Sequence, residues 1–203
     1  MPRSLVALVA IFNLSGLSCA IFSPPPALRA QAPITAVADR PAEIPVPPAM
    51  KGFLEARLRG LTDAEVDALA RTIIVESKRY RIDPLLVLAV MKVESRFSNF
   101  AVSPVGALGL MQILPSTGEE LAAQQGITWH GPHTLFDPVT NVKLGILYLR
   151  ELSDRFGHLP TVLAAYNWGP GHIGRRLRRG TSLPTEYPNL VFEAYDDQGD
   201  LKS

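Results

Sequence analysis

Residues 83–112, DPLLVLAVMKVESRFSNFAVSPVGALGLMQ, decide the fold, and the rest of the chain is read outward from them. Asp83 offers a capping carboxylate, and Pro84 stands at the first helical position, where a missing N–H leaves nothing unpaired. The run Leu85-Leu86-Val87-Leu88-Ala89-Val90-Met91 is apolar on every side, which predicts a helix buried in a core rather than one lying on a surface. At roughly twelve residues it is too short to cross a bilayer, which takes about 20. Its far end carries Glu94.

A carboxylate at that place is held away from its ordinary chemistry. Apolar neighbours penalise the ionised form, and so do the unpaired carbonyls of a helix C-terminus, so the pKa is expected above the reference value of about 4.3. A glutamic acid still protonated near neutral pH is what a general acid must be. The plainer alternative is a carboxylate that emerges into solvent or pairs with Lys92 or Arg96.

The residues after Glu94 favour the acid. Beyond Ser95-Arg96-Phe97 comes the irregular Ser103-Pro104-Val105-Gly106-Ala107, then Gly109-Leu110-Met111-Gln112-Ile113 and Pro115. Later stand Asp137-Pro138 with Asn141-Val142 and Gly145 through Tyr148-Leu149, and then Ala165-Tyr166-Asn167-Trp168-Gly169-Pro170-Gly171. These three motifs, in this order, resemble the soluble lytic transglycosylase family over about residues 66 to 195. The resemblance implies a mainly α, lysozyme-like domain of the goose-type lysozyme kind acting on bacterial cell wall. It says nothing of the first sixty residues.

At 203 residues the chain has length for one domain and an appendage. Its composition, 47% hydrophobic and 19% charged, is that of a globular protein, and a formal charge of +1 argues for no polyanionic partner. Residues 1–20 read as an export signal: Arg3 supplies the positive start, Leu5 to Leu14 the apolar core, and Ser18-Cys19-Ala20 a small-residue cleavage site. Cys19 admits a lipidated N-terminus as a second reading, although Gly16 stands where an aliphatic residue is usual; an uncleaved anchor over Leu5 to Phe22 is a third. All three export the domain to the periplasm or cell envelope, and the last two attach it to a membrane. As the chain's sole cysteine, Cys19 excludes an intrachain disulfide.

Residues 21–60 read as a proline-rich linker on an extended path, with a short helix over Lys51 to Arg59 leading into the domain. The catalytic domain is expected at 61–197, followed by a polar tail at 198–203. Thr62 and Glu65 form a capping box for an amphipathic helix ending near Tyr80. Within it Val75-Glu76-Ser77 repeats Val93-Glu94-Ser95, but Glu76 lies mid-helix among basic residues and reads as a surface or ion-paired group.

Ser116 and Thr117, with Glu119 and Glu120 after them, are expected to cap the next helix. Residues 126–136 read as a loop, whose His130 and His133 have no carboxylate or cysteine cluster to complete a metal site. Asp137-Pro138 opens a long helix stopped at Gly157, and Pro160 to Tyr166 is a short apolar helix. Arg175 to Arg179 form a basic helix end, and Pro184 to Tyr195 a closing helix offset by Pro188. The total is about seven helices with no convincing strand. No base-stacking pattern accompanies the basic residues, so nucleic acid is not an expected partner, and no cofactor is expected.

Breaking a glycosidic bond takes a proton for the leaving oxygen and relief for the charge growing on the sugar, usually from two carboxylates. The sequence offers one well-placed acid, Glu94, which suffices where the substrate's own N-acetyl group assists. The resemblance then implies that Glu94 turns base and that the muramoyl C6 hydroxyl closes on the anomeric carbon, giving a 1,6-anhydro sugar. Substrate-binding roles fall to Ser103 (toward the N-acetyl group or Glu94), Gln112 and Met111 (lining a sugar subsite), Tyr166 (holding Glu94), Asn167 (turn or sugar) and Glu186 (closing the groove). The expected partner is the peptidoglycan glycan strand, in general wall turnover or in the service of a secretion, conjugation or flagellar apparatus. Two rivals stand beside this reading: a goose-type lysozyme-like muramidase using water, and a wall-binding module without turnover.

Overall fold

A computed structural model of the protein describes residues 45–198 and Leu201. The described chain folds into α1 (Pro48–Glu55), α2 (Asp63–Tyr80), α3 (Pro84–Ser95), α4 (Pro115–Gln124), a 3-10 turn (Pro132–Phe136), α5 (Pro138–Phe156), α6 (Leu159–Trp168), α7 (Pro170–Arg178) and α8 (Glu186–Asp196). Extended pairing among the described residues is limited to isolated bridges, Val102 to Leu108 and Leu108 to Ile113. No helix among them is long and apolar enough to cross a membrane. The signal, lipidation and anchor readings fall on residues outside those described.

The apolar run of α3 is buried without a break from Leu86 to Met91, as expected of a helix with no polar face. Helix α8 packs along it, α2 covers it from another side, and α5 lies between α2 and α6. Asp83 caps α3 by accepting from the Leu85 N–H at 2.8 Å. At the other end Arg96 and Phe97 both take positive φ, so the chain leaves α3 sharply just past Glu94. The Thr62–Glu65 capping box is present, and Asp137 caps α5 through the Thr140 N–H at 2.7 Å.

Four boundaries differ from the sequence expectation. The short helix expected over Lys51 to Arg59 runs instead from Pro48 to Glu55, and it buries Met50 and Leu54 in the common core with Leu58 after them, so the packed core reaches ahead of residue 61. Pro48 is the first residue of that helix, where proline suits a helix start as well as a linker. Helix α4 starts at Pro115 behind Leu114, with no side-chain cap, so Ser116 and Thr117 lie inside the helix and Glu119 and Glu120 fall beyond its first turn. In α8, Pro188 sits within the first turn, where its missing N–H breaks no helical bond, and the helix starts at Glu186. The fold also continues past 197: Gln198 is buried and donates to the Leu85 and Ala194 carbonyls, and Leu201 packs against the core.

Candidate active site

Glu94 is the last residue but one of α3, half-buried, on a helix whose residues Leu86 to Met91 fill the core. Its Oε1 accepts a hydrogen bond from the Tyr187 hydroxyl at 2.6 Å. Among the described residues its Oε2 takes no hydrogen bond, which leaves that oxygen as the position for a transferable proton. Burial pushes the carboxyl up from its ordinary 4.5 to about 7, against the smaller, lowering effect of the Tyr187 bond. Neither Lys92 nor Arg96 pairs with it; Lys92 binds Asp197 at 2.8 Å instead.

Three tyrosines run from this acid toward the surface. Tyr187 lies nearly parallel to Tyr166, with ring centroids 6.5 Å apart, and Tyr166 meets Tyr148 at 5.3 Å. Burial first, and then the Glu94 charge, hold the Tyr166 and Tyr187 phenols well above their usual pKa of 10, so both stay neutral donors. Tyr148 and Tyr166 also wall a groove of about 330 Å³. Its other walls include Gln112 and Ile113 from the loop before α4, and Asn167 and Trp168 from the end of α6. Val105, 79% exposed, and Trp168, 52% exposed, stand open to solvent along it, and the Trp168 ring offers a flat aromatic face to a sugar. The groove's lining stops at Tyr166, and Glu94 stands one ring further on, behind Tyr187.

The loop from Ala101 to Ile113 has little regular structure of its own and is pinned by three outside residues and by one of its own side chains. Ser95 Oγ, one residue past the acid, donates to the Leu110 carbonyl at 2.8 Å. Asn141, fully buried on α5, accepts from the Met111 N–H and donates to the Leu108 and Leu135 carbonyls. The Tyr166 hydroxyl donates to the Met111 carbonyl at 2.8 Å. Gln112, at φ +49°, folds its amide back to donate to the Ala101 and Gly109 carbonyls. Gly109 is required here: a Cβ would fall 2.3 Å from Asn141 Nδ2. A segment anchored in this way presents its groove-side groups in fixed positions.

These contacts revise several expected roles. Tyr187 holds Glu94, and Tyr166 instead holds the loop through Met111. The Met111 side chain is fully buried against Gly145 and belongs to the core rather than to a sugar subsite. Ser103 makes no bond to Glu94; its Oγ accepts from the Ala107 N–H at 2.9 Å inside a tight turn. Gln112 and Asn167 do line the groove. Glu186 is exposed at the start of α8, and its neighbour Tyr187, not Glu186 itself, reaches the acid. Glu76 is ion-paired, to Arg79 at 3.5 Å and Lys143 at 3.7 Å, but it is buried rather than on the surface. Sequence reasoning missed Tyr187 as a partner of Glu94 and Asn141 as the anchor of the loop.

Fold and site together define a lysozyme-like helical domain that sets a protonatable carboxylate at the inner end of a tyrosine stack whose outer rings wall a groove. The family model described as the transglycosylase SLT domain matches residues 71–187, and the chain belongs to that family. It is 38% identical over 107 residues to a membrane-bound lytic murein transglycosylase C of Actinobacillus pleuropneumoniae, covering 48% of this chain and 29% of that protein. It is 40% identical over 132 residues to a transglycosylase of Enterobacteria phage PRD1, covering 58% of this chain and 46% of that protein. Among solved structures, an inactive mutant of the lytic transglycosylase Slt from Pseudomonas aeruginosa matches with a TM-score of 0.50 and 28% identity, covering 64% of this chain and 22% of that one. The 70-kDa soluble lytic transglycosylase of Escherichia coli matches in fold with a TM-score of 0.51 and 24% identity, over 68% of this chain and 26% of that one. In each case the match spans less than half of the relative's own length.

Proposed function

We propose that this domain is a peptidoglycan lytic transglycosylase, which cleaves the β-1,4 bond between N-acetylmuramoyl and N-acetylglucosaminyl residues and leaves a 1,6-anhydromuramoyl end. The observation that carries the reading is the Glu94 carboxyl, raised to about 7 by burial and steadied on one oxygen by Tyr187. The Glu94 proton passes to the glycosidic oxygen as the bond from that oxygen to the anomeric carbon breaks. The substrate's N-acetyl oxygen supports the charge on that carbon, the task a second carboxylate performs elsewhere. Glu94, now a carboxylate, takes the proton of the C6 hydroxyl as O6 closes on the anomeric carbon. The acid is restored and no water is consumed.

The internal hydroxyl has the advantage of a high effective concentration over water. Gln112, with both amide hydrogens engaged by the loop, offers Oε1 as an acceptor to sugar hydroxyl or amide groups on the groove side. Asn167 and the hydroxyl hydrogen of Ser103 are the other polar groups assigned to substrate. The names of the relatives, lytic murein transglycosylases among them, support the same chemistry.

Incubating purified cell wall with the protein and weighing the released muropeptides tests the proposal. The anhydro product is expected, lighter by one water than a hydrolytic one. A product of hydrolytic mass moves the chain to the muramidases, and no product at all makes it a wall-binding module. We further propose export to the cell envelope on the signal-like first twenty residues. The mass of the mature N-terminus separates a cleaved signal, a lipid on Cys19 and a retained anchor.

A further inference from the structure

The charges around α7 are unbalanced. Arg175, Arg176, Arg178 and Arg179 crowd its C-terminal end, and Arg155 of α5 comes up beside Arg178 at Gly174. Among the described residues no carboxylate pairs with any of the five. A helix C-terminus favours one or two cations through its dipole, but five without a counter-charge repel one another. Three of them, with His172 and Thr181, enclose a hollow of about 210 Å³. Its wall is fixed: Arg176 Nε donates to the Ser182 carbonyl at 2.7 Å, leaving its terminal nitrogens free, and Thr181 donates back to the Arg176 carbonyl through both N–H and Oγ1.

The hollow adjoins the groove. His172 forms part of its wall and stacks on Trp168, with centroids 5.5 Å apart and planes 29° apart, and Trp168 in turn lines the groove. The hydroxyl and acetamide groups of the sugars are neutral, so they do not account for a cluster of five cations. The anions that travel with a wall strand are the carboxylates of the peptide stems hung from it, and planar guanidinium groups match carboxylates in pairs. We infer that the hollow on α7 is a subsite for peptide-stem carboxylates, placed beyond the Trp168–His172 stack so that the groove takes the sugars and α7 the stem. This rests on the transglycosylase reading above.

The test uses an Arg175→Gln/Arg179→Gln variant of the full chain, both positions being exposed and outside the catalytic group. Product release is measured on wall strands whose stem carboxylates are free and on the same strands after carbodiimide and ammonia have converted those carboxylates to neutral amides. On strands with free stem carboxylates we expect kcat/KM to fall about tenfold, mainly through KM, and on amidated strands by less than about twofold. Equal loss on both substrates, or none on either, overturns the inference while leaving the transglycosylase reading intact. Failure of the unsubstituted protein on both substrates is instead the failure of that reading. A second arm needs no turnover: a synthetic stem peptide should change Trp168 fluorescence saturably in the parent and not in the variant. Arginine-dependent sedimentation with phosphatidylglycerol vesicles, without any stem effect, also overturns the inference and makes α7 a membrane contact.

Discussion

Two glutamates in this domain sit in the same tripeptide, Val75-Glu76-Ser77 in α2 and Val93-Glu94-Ser95 in α3, and only their company differs. Glu76 lies in the body of its helix, its side chain 6% exposed, between Arg79 and Lys143. Its two carboxylate oxygens are each engaged by a cation in an ion pair, so it faces charge and not substrate. Glu94 lies where its helix ends, with a neutral phenol on one oxygen, and burial raises it to about 7. The two carboxylates differ in whether their neighbours carry charge: a pair of cations for Glu76, a neutral phenol for Glu94. Glu94 alone stands in contact with a tyrosine stack that reaches the groove.

The largest expected effect is on the acid itself. Glu94→Gln keeps the shape and removes the proton, and wall cleavage should fall about a thousandfold with the fold retained. Glu76→Gln removes one half of an ion pair whose cations are solvent-exposed, so cleavage should stay within about threefold. Turbidity clearance of purified wall by the two variants compares them side by side. An inactive Glu76→Gln beside an active Glu94→Gln would reverse the assignment.

The Glu94 carboxyl also ties the stability of the domain to pH. The folded-state pKa of Glu94 lies above its unfolded value, so ionising it is harder in the folded protein. That penalty is absent below about pH 4.5, grows as the pH rises, and is complete above about pH 7. Glu94→Gln should therefore stabilise the domain by about 1–3 kcal/mol at pH 8 and by less than about 1 kcal/mol at pH 5. Urea unfolding at the two pH values measures it. A variant less stable than the parent at pH 8 would mean that the carboxylate contributes to the fold instead of being strained by it.

The serines that complete the tripeptides sharpen the comparison at a smaller scale. Ser95 is buried and ties α3 to the loop through the Leu110 carbonyl, whereas Ser77 Oγ is buried without a hydrogen-bond partner. Ser95→Ala should cost about 1–2 kcal/mol, because it leaves that carbonyl unpaired. Ser77→Ala should be neutral within about 0.5 kcal/mol, or stabilising. Thermal unfolding of the two single variants is enough to decide. Equal losses would show that the loop does not depend on its anchor at the end of α3.

Much of this was legible in the sequence because it is local. An unbroken apolar run behind Asp83-Pro84 can only be a core helix, and the acid at its end is placed by the count of residues. The Thr62–Glu65 box and the Asp137 cap are likewise written within four residues. What was missed is tertiary. Tyr187 lies 93 positions from Glu94, and no periodicity connects a residue on α8 with the end of α3. Asn141 could be seen inside a motif, but its three partners, at Met111, Leu108 and Leu135, come together only when α5 closes on the loop. Met111 read as a groove residue because a methionine suits either place; the absence of a side chain at Gly145, 34 positions on, draws it into the core. A short helix was expected over Lys51 to Arg59, but its start at Pro48 was masked by Pro47-Pro48, which read as the end of a linker as readily as the start of a helix.

The finest distinction separates the two tyrosines, and it is read in the position of a pH profile rather than in a rate. Tyr187 lowers the Glu94 pKa against the stronger upward push of burial, so Tyr187→Phe should raise it further. The proton donor must start protonated, so activity falls as pH rises through that pKa, and the falling limb should move to higher pH in this variant. Tyr166→Phe removes a bond to the Met111 carbonyl and none to Glu94, so its limb should stay in place while the loop weakens and KM rises. Measuring kcat/KM across pH 5–9 for the parent and both variants reads out the two roles independently. A limb that shifts in Tyr166→Phe and not in Tyr187→Phe would exchange them, and would place the groove wall itself on the acid.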